Sequence, residues 1–362
     1  MAKQIIGTMS GTSMDGIDAA FLSTDGINVV KMGASHFQAY SKAERSMIVA
    51  AIEACKGAEG CAAQAVIEAE TMITNAHAKA IKTLIDEVDL SAGDIALVGF
   101  HGHTILHAPH KGTTVQIGDG EGLANQLGIP VAYDFRSNDV AAGGQGAPLV
   151  PVFHKTLLGN AKAELPAAIV NIGGVANVTI VTSDGLIAFD TGPGNAMIDD
   201  WMKSRTSKTY DQWGRIAGEG RVNEIIVGQW LENSYFSTQP PKSLDRNAFD
   251  MMAIDRASLA DGTATLTAFT ARSIAQALAP YDLKTLYVSG GGAHNRTMMR
   301  MLKEASGLEP LMMDALGFDG DFLEAQAFAY LAARVEADLP LTYPTTTGVK
   351  EPTKGGKIAR PT

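Results

Sequence analysis

One pattern, written twice, constrains this chain more than any other. Ile5-Ile6 leads into the small-residue run Gly7-Thr8-Met9-Ser10-Gly11-Thr12-Ser13-Met14-Asp15-Gly16-Ile17-Asp18, and an alternating stretch (Ile17, Ala19, Phe21) leads out. Thr24-Asp25-Gly26 then marks a tight turn before Ile27-Asn28-Val29-Val30. Further on, Ala168-Ile169-Val170-Asn171-Ile172 enters Gly173-Gly174-Val175-Ala176-Asn177, and Val178-Thr179-Ile180-Val181 returns. Ser183-Asp184-Gly185 precedes a third stretch, Leu186-Ile187-Ala188-Phe189-Asp190. Apolar alternation bounded by glycine and aspartate turns predicts paired strands. One such hairpin is common and says little. Two copies of strand, glycine turn, strand, Asp-Gly turn, strand predict a duplicated fold.

The composition of the turns points to chemistry. Glycine lets a backbone pass close to a ligand, and successive N–H groups can then cradle phosphate oxygens. Serine and threonine hydroxyls add donors without charge. Asp15 and Asp18 would repel a bare phosphate, but they suit a hydrated Mg²⁺ placed between. Which of the two meets the metal stays open at this stage. Two phosphate loops facing one another across a cleft predict an ATP clamp.

The whole chain fits that frame. Its 362 residues suffice for two domains with full cores, and with aromatics at only 6% and abundant glycine they suit closely packed α/β layers. The net charge of −10, with no basic patch interleaved with aromatics, argues against nucleic acid. Met1-Ala2-Lys3-Gln4 runs straight into a strand without a signal peptide, and no apolar run is long enough to span a bilayer. Cys55 and Cys61 are too few for a disulfide framework, so the expectation is a reduced, cytoplasmic protein with no membrane partner.

Helical spacing of apolar residues predicts helices over 42–56, 64–87, 193–205, 218–232, 245–257, 264–279, 297–304 and 322–338. Strands are expected at 95–100, 131–133 and 286–288, and a short helix at 123–127. The stretch 134–151, rich in glycine, alanine and proline, carries no period and reads as the hinge. The expected division is an N-terminal lobe over 1–140, joined by the tail 340–362, and a C-terminal lobe over 141–339.

Asp190 is the best catalytic candidate. It ends an expected strand, where open α/β sheets present ligand-facing residues, and Thr191-Gly192-Pro193-Gly194-Asn195 leads from it into a helix. One carboxylate aimed into a phosphate cleft suits a general base, although a turn or cap role weighs about the same on these residues alone. A third cluster, Ser289-Gly290-Gly291-Gly292-Ala293-His294-Asn295, follows a strand and opens a helix, so a base or ribose can lie on its backbone. It lacks the spacing of a dinucleotide fingerprint, which discounts NAD. In His101-Gly102-His103-Thr104-Ile105-Leu106-His107-Ala108-Pro109-His110, half of the chain's eight histidines fall in ten residues. No cysteine or carboxylate stands nearby to complete a zinc set, so substrate hydrogen bonding is the better reading. Arg136 offers a bidentate clamp for a carboxylate, against a hinge salt bridge; Glu324 opens a long helix, as a cap or a ligand contact.

These motifs go further when taken in order. Gly7–Asp18, His101-Gly102, Asp134-Phe135-Arg136, Gly143–Leu149, Asn171–Gly174, Asp190–Asn195, Pro240-Pro241-Lys242-Ser243, Ser289–Asn295, Glu324-Ala325 with Ala327-Phe328-Ala329, and Thr347-Gly348 resemble the anhydro-N-acetylmuramic acid kinase family over essentially the whole chain. The chain departs from that pattern at His103, where the family usually has Gln, and at Leu244-Asp245, where it has Thr-Gly.

The resemblance implies an α/β, two-domain actin-like ATPase (ribonuclease H-like duplicated) fold with an interdomain cleft. It implies a kinase that opens the 1,6-anhydro ring of 1,6-anhydro-N-acetylmuramic acid with ATP and water. The products are N-acetylmuramic acid 6-phosphate and ADP, in peptidoglycan turnover. Asp190 would be the base; Gly11, Thr12, Ser13, Met14, Asp15, Gly16, Ile17, Asp18, Asn171, Gly173, Gly174, Gly290, Gly291, Gly292 and Asn295 would face ATP. His101, Arg136, Gly192, Asn195 and Glu324 would face the sugar, with Mg²⁺ at Asp15 or Asp18, in a homodimer. A same-fold kinase for another anhydro sugar, such as levoglucosan, and an actin- or Hsp70-like ATPase acting on a protein partner are the alternatives.

Overall fold

The repeated strand pattern builds the same sheet core twice. The computed structural model describes residues 2–57, 60–244, 249 and 251–362. It divides into two units, Met1–Asn160 with Phe322–Thr362, and Ala161–Asp321.

In the first unit, β1 (Lys3–Ser10), β2 (Gly16–Thr24) and β3 (Val29–Ala39) form an antiparallel meander. Helices α1 (Lys42–Cys55) and α2 (Gln64–Glu87) follow, then β4 (Leu97–Ala108), β5 (Thr113–Ile117), α3 (Gly120–Leu127), β6 (Val131–Tyr133), α4 (Ser137–Ala141) and α5 (Pro151–Asn160). In the second, β7 (Ala167–Ile172), β8 (Val175–Val181) and β9 (Leu186–Pro193) form the meander. After it come α6 (Ala196–Arg205), α7 (Arg215–Glu219), α8 (Glu224–Leu231), α9 (Ser234–Ser237), α10 (Leu259–Leu278), β10 (Thr285–Ser289), α11 (Arg296–Ser306) and β11 (Pro310–Met312). The chain then returns to the first unit with α12 (Leu323–Glu336) and β12 (Lys357–Ala359).

The sheet orders are β12-β6-β4-β1-β2-β3, with β5 on β4, and β11-β10-β7-β8-β9. In both, the first strand of the meander pairs in parallel with the strand after the helices, β1 with β4 and β7 with β10. A further parallel strand follows, β6 or β11. Both units thus repeat one α/β plan.

The unit boundaries fall at 160/161 and 321/322 rather than at 140/141 and 339/340. Packing decides this. Gly7 and Gly99 are paired in the β1–β4 register, and a Cβ on either would strike the backbone of α12 at Ala325 or Phe328. Only glycine permits so close a helix–sheet approach. Helix α5 joins the same core: Thr156 and Tyr330 share a hydroxyl–hydroxyl bond of 2.8 Å, and Asn160 Nδ2 donates to the Val29 carbonyl.

Other differences have local causes. The strand expected at 95–100 runs on to Ala108, because β1 and β5 pair with it on either side. The helix expected over 218–232 breaks where Gly220 meets the α10 backbone at Ala260, and Asn223 restarts it by accepting from the Ile226 N–H. The tail contributes β12, antiparallel to β6. Residues 245–248 and 250, within the helix expected at 245–257, lie outside the described residues. Cys55 and Cys61 are joined as a disulfide rather than reduced, since the turn after α1 brings their Cα atoms to 4.2 Å.

Candidate active site

In the second unit the site is built around a bulge. Asn177 pairs with Asp190 and Ala176 with Gly192, so Thr191 is the extra residue of β9. Its hydroxyl donates to the Ala176 carbonyl at 3.1 Å, locking the bulge in the core. A bulge re-aims its neighbours, and it does so here one residue after Asp190.

Helix α9 and the segment after it then strap Asp190 in place. Tyr235 Oη donates to the Asp190 carbonyl at 2.5 Å, the Asp190 N–H donates to the Lys242 carbonyl at 3.0 Å, and the Leu244 N–H donates to Asp190 Oδ2 at 2.8 Å. Lys242 Nζ in turn donates to the Tyr235 carbonyl and sits 4.5 Å from the ring centroid. Desolvation pushes the half-buried Asp190 carboxyl up to about 6, and the Leu244 N–H offsets only part of that. The carboxylate caps no helix. The position before α6 is Asn195, whose Nδ2 donates to the Ile172 carbonyl at 3.0 Å.

The same unit gathers the glycine candidates. Asn195 and Gly194 N–H groups donate to the carbonyls of Gly173 and Gly174 at 2.7 and 3.0 Å. Gly290 has φ of 77°, and a Cβ there would strike Asn171 Oδ1. Asn171, Gly173, Gly174, Asn195, Gly290 and Gly291 therefore converge at the ends of β7 and β10. Gly192 stands apart from them against Ser273 of α10. Asn295 acts as the cap of α11, accepting from the Met298 N–H at 2.9 Å, so its oxygen is already committed.

In the first unit residues 11–15 form an open loop that leads into β2 at Gly16. Met14 N–H donates to the Gly11 carbonyl, Ser13 Oγ donates to Asp15 Oδ1 at 2.6 Å, and the Asp15 carbonyl takes the Tyr40 N–H at 2.9 Å. Asp15 is exposed and Asp18, on β2, half-buried. Behind the loop, Ser10 Oγ bonds Tyr40 Oη at 2.9 Å and His103 Nδ1 at 2.8 Å, which gives His103 a role the sequence did not assign.

His101 and Arg136 meet. Between Thr8–Phe100 and Ser10–His103 the β1–β4 register slips, leaving His101 and Gly102 (φ of 70°) to bulge from β4. His101 Nδ1–H donates to the Gly102 carbonyl at 2.9 Å, and Nε2 accepts from Arg136 Nε and Nη2, both at 3.1 Å. Burial and the guanidinium hold this imidazole neutral, its affinity for a proton well below the usual histidine range. Arg136 Nη1 donates to the Gly146 carbonyl at 2.7 Å, and burial draws the guanidinium down to about 10, still charged at neutral pH. His101 lines a hollow of about 250 Å³ with Tyr133, Asp134 and Ser137. Glu324 is exposed on the first turn of α12; the protein around it raises its carboxyl and the Arg136 charge lowers it. It is not the helix cap, a position held by Phe322.

Sequence reasoning missed Asp139, which is buried and accepts from the Gly146 N–H and the Thr347 hydroxyl, both at 2.6 Å. It fixes the carbonyl that orients Arg136. The proximity of Gly146 and Thr347-Gly348 to this site was signalled only by their place among the motifs.

A family model described as anhydro-N-acetylmuramic acid kinase matches residues 3–361. A protein of that name from Methylorubrum populi is 49% identical over 377 residues, covering 99% of this chain and 99% of its own. Another from Rhodopseudomonas palustris (strain HaA2) is 47% identical over 369 residues, covering 100% of each. Solved structures are more distant: component A of the (R)-2-hydroxyglutaryl-CoA dehydratase of Acidaminococcus fermentans has a TM-score of 0.48 at 13% identity, covering 92% of this chain and 99% of that one. Likeness at that level bears no weight. At the sequence level the match is unambiguous, and the chain belongs to the anhydro-N-acetylmuramic acid kinase family.

Proposed function

We propose that this chain uses ATP and water to open 1,6-anhydro-N-acetylmuramic acid and phosphorylate it at O6, with Asp190 as general base. The observation that carries the role is the carboxyl itself, desolvated to about 6 and fixed by Leu244, Lys242 and Tyr235 beside the β9 bulge. A base poised near the working pH removes a proton efficiently. Asp190 takes one proton from a water whose oxygen bonds to C1. The C1–O6 bond breaks, O6 attacks the γ-phosphorus, and the bond to the bridging oxygen of ADP breaks. The anomeric hydroxyl keeps the other water proton.

Arg136 positions the sugar. His101 and Gly146 occupy three of its five N–H groups, and the remaining two suit the lactyl carboxylate bidentately. Gly192, Asn195 and Glu324 belong to the sugar side of the same proposal. The loop from Gly11 to Asp18, Asn171 with Gly173 and Gly174, and Gly290–Gly292 face the phosphates and ribose.

Asp15 on the exposed turn and half-buried Asp18 on β2 are oxygen donors three residues apart in sequence, a pair that fits Mg²⁺, which keeps most of its waters. Bound there, the ion would neutralise phosphate charge. A cytoplasmic homodimer is part of the reading, and light scattering on the purified chain tests the dimer.

The deciding assay incubates the protein with Mg-ATP and the anhydro sugar, or with levoglucosan, which has no carboxylate. ADP and N-acetylmuramic acid 6-phosphate are expected only with the first. ADP release without sugar phosphate overturns the kinase reading.

A further inference from the structure

We infer that Trp213 is the stacking platform for the purine base of ATP, and so sets nucleotide preference. The inference rests on the reading of Gly290–Gly292 as nucleotide-facing, and concerns only the second unit.

Trp213 lies in the turn between α6 and α7 with φ of 61° and ψ of 13°, a left-handed conformation that bulky residues rarely adopt. Yet the side chain is not consumed by the core: the residue is 45% exposed. A large aromatic held out on an unfavourable backbone requires surroundings that enforce it, and they are present. The buried Asp211 carboxylate accepts from the N–H groups of Ile216 and Ala217, both at 2.9 Å. The Gly214 carbonyl takes the Thr297 hydroxyl at 2.7 Å, and Gly214 itself (φ of 69°) leaves no room for a Cβ against Asn295 Oδ1.

Those contacts bolt the turn to the start of α11, directly after the Gly290–His294 segment. The indole stands edge-on to His294, with centroids 6.1 Å apart and planes at 90°, and the Arg296 guanidinium lies 5.9 Å from its centroid. His294 is held in turn by Asp321 at 3.0 Å and lines a hollow with Ser289 and Gly290. A braced, solvent-facing indole against His294, which follows the bare glycine backbone of Gly290–Gly292 in the chain, suits a flat heterocycle whose phosphates lead away. Indole–base stacking needs no hydrogen-bond code, and its strength grows with ring area, favouring a purine over a pyrimidine.

The test compares wild type, Trp213→Phe and Trp213→Ala with Mg-ATP, Mg-CTP and inorganic tripolyphosphate. Trp213→Ala should raise KM for ATP by about tenfold or more with kcat within about twofold, the Phe variant falling between. The ATP-over-CTP preference should shrink, while inhibition by tripolyphosphate, which has no base, stays unchanged. An Ala variant with wild-type KM for ATP and wild-type preference overturns the inference. Should that variant fail to fold, Mg-ADP quenching of tryptophan emission decides, expected in wild type and lost in Trp213→Phe; equal quenching in both overturns it. The two readings separate cleanly. A wild-type protein that makes no sugar phosphate from ATP defeats the proposed function, whereas an active wild type matched by Trp213→Ala defeats only the platform.

Discussion

The hairpins that open the two units share a plan and use it differently. Between β1 and β2 the chain spends residues 11–15 on an open loop whose carboxylate, Asp15, is held by Ser13 and Gly16 within reach of solvent. Between β7 and β8 only Gly173 and Gly174 intervene, and their carbonyls are taken by the start of α6. The second unit places its candidate carboxylate elsewhere, on β9, where a bulge and a strap desolvate it. One turn leaves its carboxylate open to solvent. The other uses its carbonyls to anchor a helix, so a shared strand plan does not mean a shared use of the turn.

The largest effect should come from exchanging the two carboxylates' roles. Asp190→Asn should lower kcat by about 10²–10⁴-fold while Mg-ATP affinity stays near wild type. Asp15→Asn should instead raise the Mg²⁺ requirement and spare kcat. A fully active Asp190→Asn enzyme refutes its role as base. The pH profile sharpens the point: the base must be ionised, so kcat/KM should fall tenfold per unit below about 6 and level off above it. A profile flat down to pH 5 removes Asp190 from that role.

Alanine scanning of the turns should separate them by stability. A Cβ at Gly194 strikes the Gly173 carbonyl, so Gly194→Ala should cost about 1–3 kcal/mol in urea denaturation. Gly11 has nothing nearer than Ser13 Oγ at 3.8 Å, so Gly11→Ala should change stability by less than about 0.5 kcal/mol. Trp201, Trp213 and Trp230 are the chain's only tryptophans and all lie in the second unit, so their fluorescence reads Gly194→Ala, while far-ultraviolet circular dichroism reads the first unit for Gly11→Ala. Equal costs at both glycines would erase the distinction.

A further effect has opposite sign in the two units. Burial lowers His77 and His103 of the first unit to about 4, against 6.5 for the free side chain. Between those values the unfolded chain binds more protons than the folded one, so acidification from pH 6.5 to 4 destabilises this unit. Asp190 is raised from 3.8 to about 6, so over that window the folded second unit gains the proton and acidification stabilises it. Hydrogen exchange, corrected for intrinsic rate, should show protection falling in the first unit, and His77→Leu should blunt the fall. Parallel losses in both units would contradict the assignment.

Much of this was legible in the sequence because it is local. Strand alternation and Asp-Gly turns follow from backbone preferences, and they placed the two meanders; Asp190, expected to end a strand, instead lies inside β9, which runs on through the Thr191 bulge to Pro193. Long helices such as α2 and α12 announced themselves through periodicity. Asp190 itself was ambiguous between base and cap, since sequence spacing does not give desolvation. The disulfide was likewise misread, because a count of two cysteines carries no Cα separation.

The sequence by itself determined the duplicated strand plan, the glycines where backbone must bend, and a motif order specific enough to name a family. Tertiary structure decided what those residues touch. Gly7 and Gly99 became the seat of α12, moving the unit boundary, because close approach is a property of two surfaces rather than of one segment. The bulge at Thr191, the strap from Tyr235 to Leu244 and the bracing of Trp213 by Asp211 and Thr297 all join residues through contacts that no local pattern encodes. Propensity acts along the chain. Proton affinity and side-chain orientation depend on what packs from elsewhere in it.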